Sequence, residues 1–398
     1  MNVPLNTLPF LEIECRQLTK TGQSACGDDF QWAKLENENR HIAVLSDGLG
    51  SGIKANLLAN MTTTMALRFM RSNMDILQSA ETIMDSLPVC EVRKISYATF
   101  SIVDIHDGGR TRIIEMGNPS YLHLRGTEEV PAEKHTQLVS QRWPDREMDV
   151  WETTLRLGDR LVVCSDGVTQ SGLGQRRYKF GWRRQGCLQF VREKLAKFPE
   201  MSARELSDTV AMEALCISPD RQCHDDISCL VIYYRKPRTL RLLTGPPFHK
   251  EDDARFAALA ASGADQVIVC GGTTANILNR ELNTTVEINM RGIRGCDALP
   301  PPGTMKGVGL ATEGILTLTR VTSDLDSGDW EKSPRAAREI IEKLLSSDCI
   351  EFIVGTKVNE AHQDPDLPVD LEIRRNIVKR LCGILENKYR KNGSITYI

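Results

Sequence analysis

The sequence predicts two domains of different class: an α+β domain over residues 1–236 and a smaller α/β domain over residues 237–398. In the first domain, apolar runs typical of strands are mixed with only a few helical patterns. In the second, strand and helix patterns alternate regularly, which is typical of α/β folds. The composition changes at residues 235–247, where two proline-containing turns bracket a short strand, so we place the boundary near Pro237.

The elements of the first domain follow from the spacing of its apolar residues. Period-two alternation or short continuous apolar runs predict strands, and apolar positions three and four apart predict helices. A glycine-rich turn, DGGR, joins two alternating runs and predicts a β-hairpin. The predicted strands are 11–18, 41–47, 97–105, 111–117, 158–167 and 226–234, and the predicted helices are 53–72, 81–87, 183–197 and 202–216.

The second domain is interpreted in the same way. Its predicted strands are 239–245, 265–272, 284–290, 349–355 and 394–398, and its predicted helices are 252–263, 273–282, 334–346 and 370–390. Residues 299–318 are rich in proline and glycine and predict a loop that leads into an apolar stretch.

Charge and cysteine usage exclude several classes of protein. The chain has 50 basic and 53 acidic side chains and a net charge of −3, so it lacks the basic excess of nucleic-acid or anionic-membrane binders. Its 12 cysteines occur singly, which favours reduced thiols in an intracellular protein. Since no apolar run approaches the ~20 residues of a membrane span, we expect a cytoplasmic protein without membrane or nucleic-acid partners.

Acidic residues stand at the ends of several predicted strands in the first domain. Ser-Asp-Gly follows an apolar run twice, at Asp47 and at Asp166. Asp-Gly alone is common in turns, so one such site would favour a turn rather than a ligand. Carboxylates gathered at one sheet edge would repel one another unless a cation neutralised them, and oxygen ligands select Mg²⁺ or Mn²⁺ over zinc. The acidic positions are Asp28, Asp29, Asp47, Asp166, Asp225 and Asp226.

These motifs, in this order, resemble the metal-dependent PPM-type serine/threonine phosphatases of the bacterial SpoIIE-like branch. The resemblance covers about residues 10–236. The matching runs are TGQSACGDDF (21–30), LSDGLGSGIKA (45–55), GNPSYLHL (117–124), LVVCSDGVTQS (161–171) and HDDISCLVIYY (224–234). It implies two packed antiparallel sheets flanked by helices, two Mn²⁺ or Mg²⁺ ions at one end of the sandwich, and hydrolysis of phosphoserine or phosphothreonine by a metal-bridging hydroxide.

The resemblance also implies roles for individual residues. Asp47 would bridge both ions and the Gly48 carbonyl would add a ligand, while Asp166 and Asp225 would complete the shell of the first ion. Asp28 would lie by the second ion, with Asp29 and Asp226 as alternates if the register differs by one residue. Relatives outside the branch carry a histidine after the bridging Asp-Gly. Here that position is Leu49, which leaves the proton donor unassigned.

The second domain carries a different candidate site, which the resemblance does not reach. A buried strand, two glycines, two threonines and a helix predict either an anion site at a helix N-terminus or a simple threonine cap. Loops after strand ends build the binding crevice of α/β sheets, so we expect a small-molecule or nucleotide site there. The residues are Gly271, Gly272, Thr273, Thr274, Glu313 and Asn359.

The leading interpretation is therefore a phosphoprotein phosphatase controlled by its C-terminal domain. Family analogy suggests as substrate a regulatory protein, such as an anti-sigma antagonist. The alternative is a pseudophosphatase that keeps the fold and acts as a signalling or ligand-sensing module. Acidic residues at all four motifs favour the enzyme.

Overall fold

A computed structural model describes residues 9–35, 38–87, 98–143, 147–261, 263–288, 299–357, 369–389 and 391–398. The chain divides after Arg235, so that Pro9–Arg235 forms one structural unit and Lys236–Ile398 belongs to the other. None of the helices in these ranges is long and apolar enough to cross a bilayer.

The first unit contains two sheets in which every pair of neighbouring strands is antiparallel. The five strands of the first sheet, in spatial order, are β1 (Phe10–Leu18), β11 (Ile227–Arg235), β10 (Asp159–Cys164), β6 (Leu122–Arg125) and β7 (Glu128–Glu129). The six strands of the second sheet are β2 (Asp28–Leu35), β3 (Arg40–Gly48), β4 (Ala98–Ile105), β5 (Arg110–Met116), β9 (Glu147–Thr154) and β8 (Lys134–Val139).

The two sheets pack face to face around a shared apolar core. Leu45 and Val103 of the second sheet meet Val163 and Leu230 of the first, and all four are fully buried. The outer face of the second sheet is covered by α1 (Ile53–Arg71) and α2 (Ile76–Ser86), and that of the first by α4 (Arg183–Lys197) and α5 (Ala203–Ile217). The predicted antiparallel sandwich flanked by helices is therefore confirmed.

The strand pattern of β10 and β11 has a physical explanation in this arrangement. Both strands are buried along their whole length, because one face meets the other sheet and the other meets helices. Such strands show continuous apolar runs instead of alternation. The helix predicted over 81–87 begins earlier, at Ile76, because the Asp75 side chain accepts the Gln78 N–H and caps it.

The second unit is a seven-stranded sheet with helices on both faces. Its spatial order is β14 (Val286–Ile288), β15 (Gly303–Met305), β16 (Gly309–Thr312), β13 (Gln266–Cys270), β12 (Thr239–Thr244), β17 (Cys349–Val354) and β18 (Asn392–Tyr397). The last five of these are parallel to one another. The helices are α6 (Asp253–Ala261), α7 (Gly272–Leu282), α8 (Ile315–Ser327), α9 (Arg335–Ser346) and α10 (Val369–Asn387).

Alternate residues of the central strands bury opposite faces of this sheet. Leu242 packs with residues of α8, α9 and α10, whereas Leu243 packs with residues of α6 and α7. This layered arrangement confirms the predicted smaller α/β region. The predicted loop over 299–318 instead contributes two short strands, β15 and β16, before α8 begins at Ile315.

Candidate metal centre

The pairing of β2 with β3 places two carboxylates side by side. Asp28 lies directly opposite Asp47 in the antiparallel register, so both side chains leave the same face of the sheet. Like charges in directly opposed positions are destabilising, because their side chains lie only about 5 Å apart at Cβ. The apolar residues before Asp47 are fully buried and hold it at the end of a rigid strand.

The first sheet supplies the other two carboxylates. Asp166 opens α3 (Asp166–Thr169) directly after β10, and Asp225 stands two residues before β11. These ends are adjacent because the Ser165 N–H donates to the Ser228 carbonyl at 3.0 Å, while the Ser228 N–H donates to the Ser165 hydroxyl at 3.0 Å. The two sheets thus bring acidic residues to one end of the sandwich.

The neighbouring carboxylates raise the pKa of Asp47. Burial, and then the charges of Asp28 and Asp166, raise the pKa of Asp47 to about 10. A hydrogen bond with Asp166 and the charge of Asp225 add to this rise. The pKa of Asp225 is raised as well, first by burial and then by Asp166. The cluster therefore carries more negative charge than its surroundings stabilise.

Asp28 is the most buried member of the cluster. It is 2% exposed, and burial raises its pKa to about 7, although the nearby hydroxyls of Ser228 and Ser165 oppose that rise. Within the described residues, neither carboxylate oxygen of Asp28 has a hydrogen-bond partner, and the same is true of Oδ1 of Asp166. Buried oxygens without a donor are costly, and a cation would satisfy them.

The acidic residues therefore fit a divalent cation by chemistry, but they do not form a preformed cage. No group of three or more His, Cys, Asp or Glu side chains in the described ranges has metal-ligand geometry. The buried oxygens without hydrogen-bond partners and the raised pKa values still favour a cation site, because side chains at loop and strand ends can rotate by small amounts to coordinate an ion.

Two of the predicted positions lie differently. The carboxylate of Asp29 turns to α1, where it accepts hydrogen bonds from Asn60 at 3.3 Å and from Thr63. The Asp226 carboxylate is buried and accepts the Lys20 backbone N–H at 2.9 Å. Asp28 rather than Asp29 lies opposite Asp47 in the register. Asp225 contributes to the raised pKa of Asp47, and Asp226 contributes to the raised pKa of Asp28.

Gly48 allows a close approach between the cluster and α1. A Cβ atom there would lie 2.1 Å from the Ala55 carbonyl oxygen, which no real side chain tolerates. Its N–H donates to the Gly27 carbonyl at 3.3 Å, which ties the end of β3 to the start of β2. Gly48 is therefore required for packing, whatever its carbonyl does.

Sequence reasoning missed the polar residues around the carboxylates. Ser165 and Ser228 lie by Asp28, and the Gln170 side chain donates to Oδ2 of Asp166 at 2.8 Å. A serine directly before each Asp-Gly was the available signal. Ser46 uses its hydroxyl differently from Ser165, donating to the Thr99 carbonyl at 2.8 Å.

The candidate site of the second unit lies at the carboxyl ends of its parallel strands. Gly271, with a φ of 111°, is the N-cap residue of α7, and Gly314 is the N-cap residue of α8. The two glycines lie close together, since a Cβ at Gly314 would be only 3.3 Å from the Gly271 Cα. Thr274 is a backbone support, because its hydroxyl accepts the Gly245 N–H at 2.9 Å.

The remaining predicted members of that site are less constrained. Gly272 and Thr273 are exposed in the first turn of α7. Oε2 of Glu313 is buried without a hydrogen-bond partner in the part of the chain that the structure describes. Asn359 lies outside the described residues.

Comparisons with known proteins agree with the fold of the first unit. The family model for stage II sporulation protein E (SpoIIE) matches residues 37–235, which is half of the chain. Stage II sporulation protein E of Bacillus subtilis (strain 168) is 24% identical over 215 residues, which cover 54% of this chain and 24% of that protein. This chain thus spans about a quarter of the length of its curated relative.

Solved structures of low sequence identity are also similar. The PP2C phosphatase domain of SpoIIE from Bacillus subtilis, with a fragment of its regulatory domain, matches with a TM-score of 0.47 and 18% identity over 57% of this chain and 63% of that chain. The RsbU and RsbW domains of Rv1364c from Mycobacterium tuberculosis match with a TM-score of 0.45 and 16% identity over 64% and 68% of the two chains. Since the family model matches half of its length, the chain belongs to the SpoIIE family of PPM-type phosphatases.

Proposed function

We propose that the chain hydrolyses phosphoserine or phosphothreonine in a regulatory phosphoprotein, such as an anti-sigma antagonist, with two Mn²⁺ or Mg²⁺ ions. The observation that carries this proposal is the meeting of Asp28, Asp47, Asp166 and Asp225 at one end of the sandwich, with the pKa of Asp47 raised to about 10. Such a cluster is unfavourable for stability, and residues kept at a cost to stability are typical of functional sites.

In this proposal the carboxylates hold the ions between the two sheets. Asp47 would be shared, with Asp166 and Asp225 on one side and Asp28 and the Gly48 carbonyl on the other. Bound ions would supply a water of lowered pKa and neutralise the phosphoryl oxygens. The protein itself would position these ligands, and the fixed β2–β3 register limits how far Asp28 and Asp47 can separate.

The decisive experiment is turnover of phosphoserine and phosphothreonine peptides by the full chain with Mn²⁺ or Mg²⁺. Asp166→Asn should reduce kcat by at least about a hundredfold, because it removes a negatively charged ligand of the proposed ion. Asp29→Asn is the matched control, since Asp29 contacts α1 instead, and it should stay within about threefold. Full activity in Asp166→Asn would contradict the metal assignment.

A wild-type chain that binds Mn²⁺ but hydrolyses neither peptide would instead support the pseudophosphatase. Metal binding can be measured by calorimetry independently of turnover, so the two functions are distinguishable. In that case the acidic cluster would serve ligand sensing or signalling rather than catalysis.

For the second unit we propose a small-molecule or nucleotide site that controls the phosphatase unit. Its support is the order of the parallel strands: numbered along the chain, they lie 3-2-1-4-5 across the sheet, an order whose carboxyl edge commonly binds ligands. Gly272 is exposed and a Cβ there would meet nothing within 4 Å, so Gly272→Val should fold normally. If AMP or ATP raises the melting temperature of the full chain, Gly272→Val should remove that rise. An unchanged rise in the variant would exclude the N-terminus of α7 as the binding site.

A further inference from the structure

A stretch of the first unit next to the candidate metal centre carries only basic charges. No Asp or Glu occurs between Asp166 and Glu193 of α4. Within it, residues 172–183 form a basic loop, and four of its cations are exposed and have no carboxylate partner among the residues that the structure describes. The next basic residue, Arg184, is by contrast paired with Glu129. The four unpaired cations are Arg176, Arg177, Lys179 and Arg183.

The basic loop is held in a fixed shape. The Trp182 N–H donates to the Ser171 carbonyl at 2.9 Å and closes the loop at its base. The Gln175 side chain donates to the Ile217 carbonyl at 2.9 Å and ties the loop to the end of α5. The Trp182 side chain is buried in the core between the first sheet and its helices. Because the backbone is already ordered, it loses little entropy when a ligand binds to the loop.

The last residues of the loop lie beside the acidic cluster. A Cβ at Gly181 would lie only 2.6 Å from the Thr169 carbonyl oxygen and 2.9 Å from the Gln170 Cα. Gln170 in turn donates to Oδ2 of Asp166 at 2.8 Å, and it follows Asp166 by four residues, which is about 6 Å along a helix. Gly181 is therefore within about 10 Å of Asp166, a distance that roughly three residues of extended peptide span.

An exposed aromatic ring lies among the cations. Phe180 is 62% exposed, and Lys179 Nζ and Arg183 Cζ lie 5.7 and 4.7 Å from the centroid of its ring. Arg183 has a φ of 63°, a strained conformation for a residue other than glycine, and such strain is concentrated at functional sites. Two cations and one ring thus form a compact patch, which suits a protein segment that carries acidic and apolar side chains.

A protein segment fits this patch better than a nucleic acid does. Nucleic-acid binding draws on a long row of cations, commonly about 6–10 phosphate contacts. The basic loop offers four unpaired cations, and the whole chain has more acidic than basic side chains, 53 against 50. A few carboxylates in a protein need only a few complementary charges, which direct the partner to one place on the surface.

We propose that the basic loop binds acidic residues that flank the phosphorylated residue of the phosphoprotein, chiefly through Lys179, Phe180 and Arg183. This inference rests on the proposed phosphatase function and narrows its substrate class. The distance to Asp166 places the preferred acidic residues about three positions from the phosphorylated one. The loop contacts the flanking segment and not the reacting phosphate, so its contribution falls on KM rather than on kcat.

The test compares two phosphoserine peptides as substrates of the full chain in Mn²⁺. One carries Glu at the third and fourth positions on both sides of the phosphoserine, and the other carries Gln at these positions. At low ionic strength, kcat/KM should be about tenfold higher for the Glu peptide, with the difference in KM. In about 0.5 M salt the two peptides should agree within about twofold, because exposed charges are then screened.

Matched pairs of substitutions locate this preference. Lys179→Gln combined with Arg183→Gln should reduce the preference for the Glu peptide to within about twofold. Lys194→Gln combined with Lys197→Gln is the control, because it removes an equal charge from two cations that also lie over aromatic rings, near the other end of α4. The control should keep the tenfold preference. If the first pair does not fold, Lys179→Gln alone should reduce the preference to about threefold.

Several results would overturn the proposal: equal kcat/KM for both peptides, an undiminished preference in the Lys179–Arg183 variant, or the same loss in both double variants. Tighter binding of a single-stranded oligonucleotide than of a Glu peptide of equal net charge would identify a nucleic-acid site instead. A chain that hydrolyses neither peptide would contradict the phosphatase function. Fluorescence anisotropy of the same peptides in Mn²⁺ would then still test the loop, and the Glu peptide should bind about tenfold more tightly.

Discussion

Replacing Asp47 by Asn should make the metal-free protein more stable while removing its response to metal. The pKa of Asp47 is raised from 3.8 to about 10, chiefly by burial and by Asp28 and Asp166. Since the folded-state pKa exceeds the unfolded one, the penalty is absent below pH 3.8 and grows as the pH rises towards 10. At pH 7 it amounts to about 1.4 kcal/mol for each of roughly three pH units, or about 4 kcal/mol at most.

Asn cannot ionise, so Asp47→Asn relieves this penalty and can keep a hydrogen bond to Asp166. In EDTA, the variant should melt higher than the wild type by roughly 2–4 °C for each kcal/mol gained. In Mn²⁺ at about a hundred times its Kd, the wild type should gain about 2.7 kcal/mol and the variant almost nothing. Differential scanning fluorimetry at pH 7 measures both effects.

The control for this experiment is Asp29→Asn, one residue from the cluster on β2. The Asp29 side chain accepts hydrogen bonds from α1, so Asp29→Asn should show neither the higher melting temperature in EDTA nor the loss of the stabilisation by Mn²⁺. A metal-free Asp47→Asn protein that melts lower than the wild type would refute the electrostatic reasoning. An unchanged response to Mn²⁺ would refute the assignment of Asp47 as a shared ligand.

Three further changes test other parts of the first unit. Gly48→Ala should lower the free energy of unfolding by about 1–3 kcal/mol and impair turnover, because its Cβ would collide with the Ala55 carbonyl; unfolding by urea and a peptide assay measure this, and an unchanged variant would contradict the tight β3–α1 contact. Burial raises the pKa of Glu115 to about 7, so between pH 4.5 and 7 the wild type should lose about 3 kcal/mol of stability that Glu115→Gln does not lose; parallel pH profiles of both proteins would disprove it. Asp104→Ala should cost about 3–5 kcal/mol in urea unfolding, because it leaves the buried Arg40 without its carboxylate, and a cost below about 1 kcal/mol would show that Arg40 finds other acceptors.

Local sequence patterns predicted most elements of both units. Continuous apolar runs marked β10 and β11, and period-two alternation joined by Asp-Gly-Gly marked the β4–β5 hairpin. Short strands were harder to predict, since β15 and β16 have three and four residues and carry little periodicity of their own. β16 forms because it pairs with β13, which lies some forty residues earlier in the chain, and β15 forms because it pairs with β16 and β14.

By itself, the sequence determined the fold class and the acidic motifs, because hydrophobic spacing and the residues at strand ends are local properties. Only the tertiary structure showed that Asp28 rather than Asp29 lies opposite Asp47. Asp28 and Asp29 are neighbours in the chain, but alternation in β2 turns one towards Asp47 and the other towards α1. A cavity lined by Arg40, Met70, Ile76 and Arg112 likewise combines residues of β3, α1, α2 and β5, and side chains so far apart in sequence meet only through the packing of helices on the sheet.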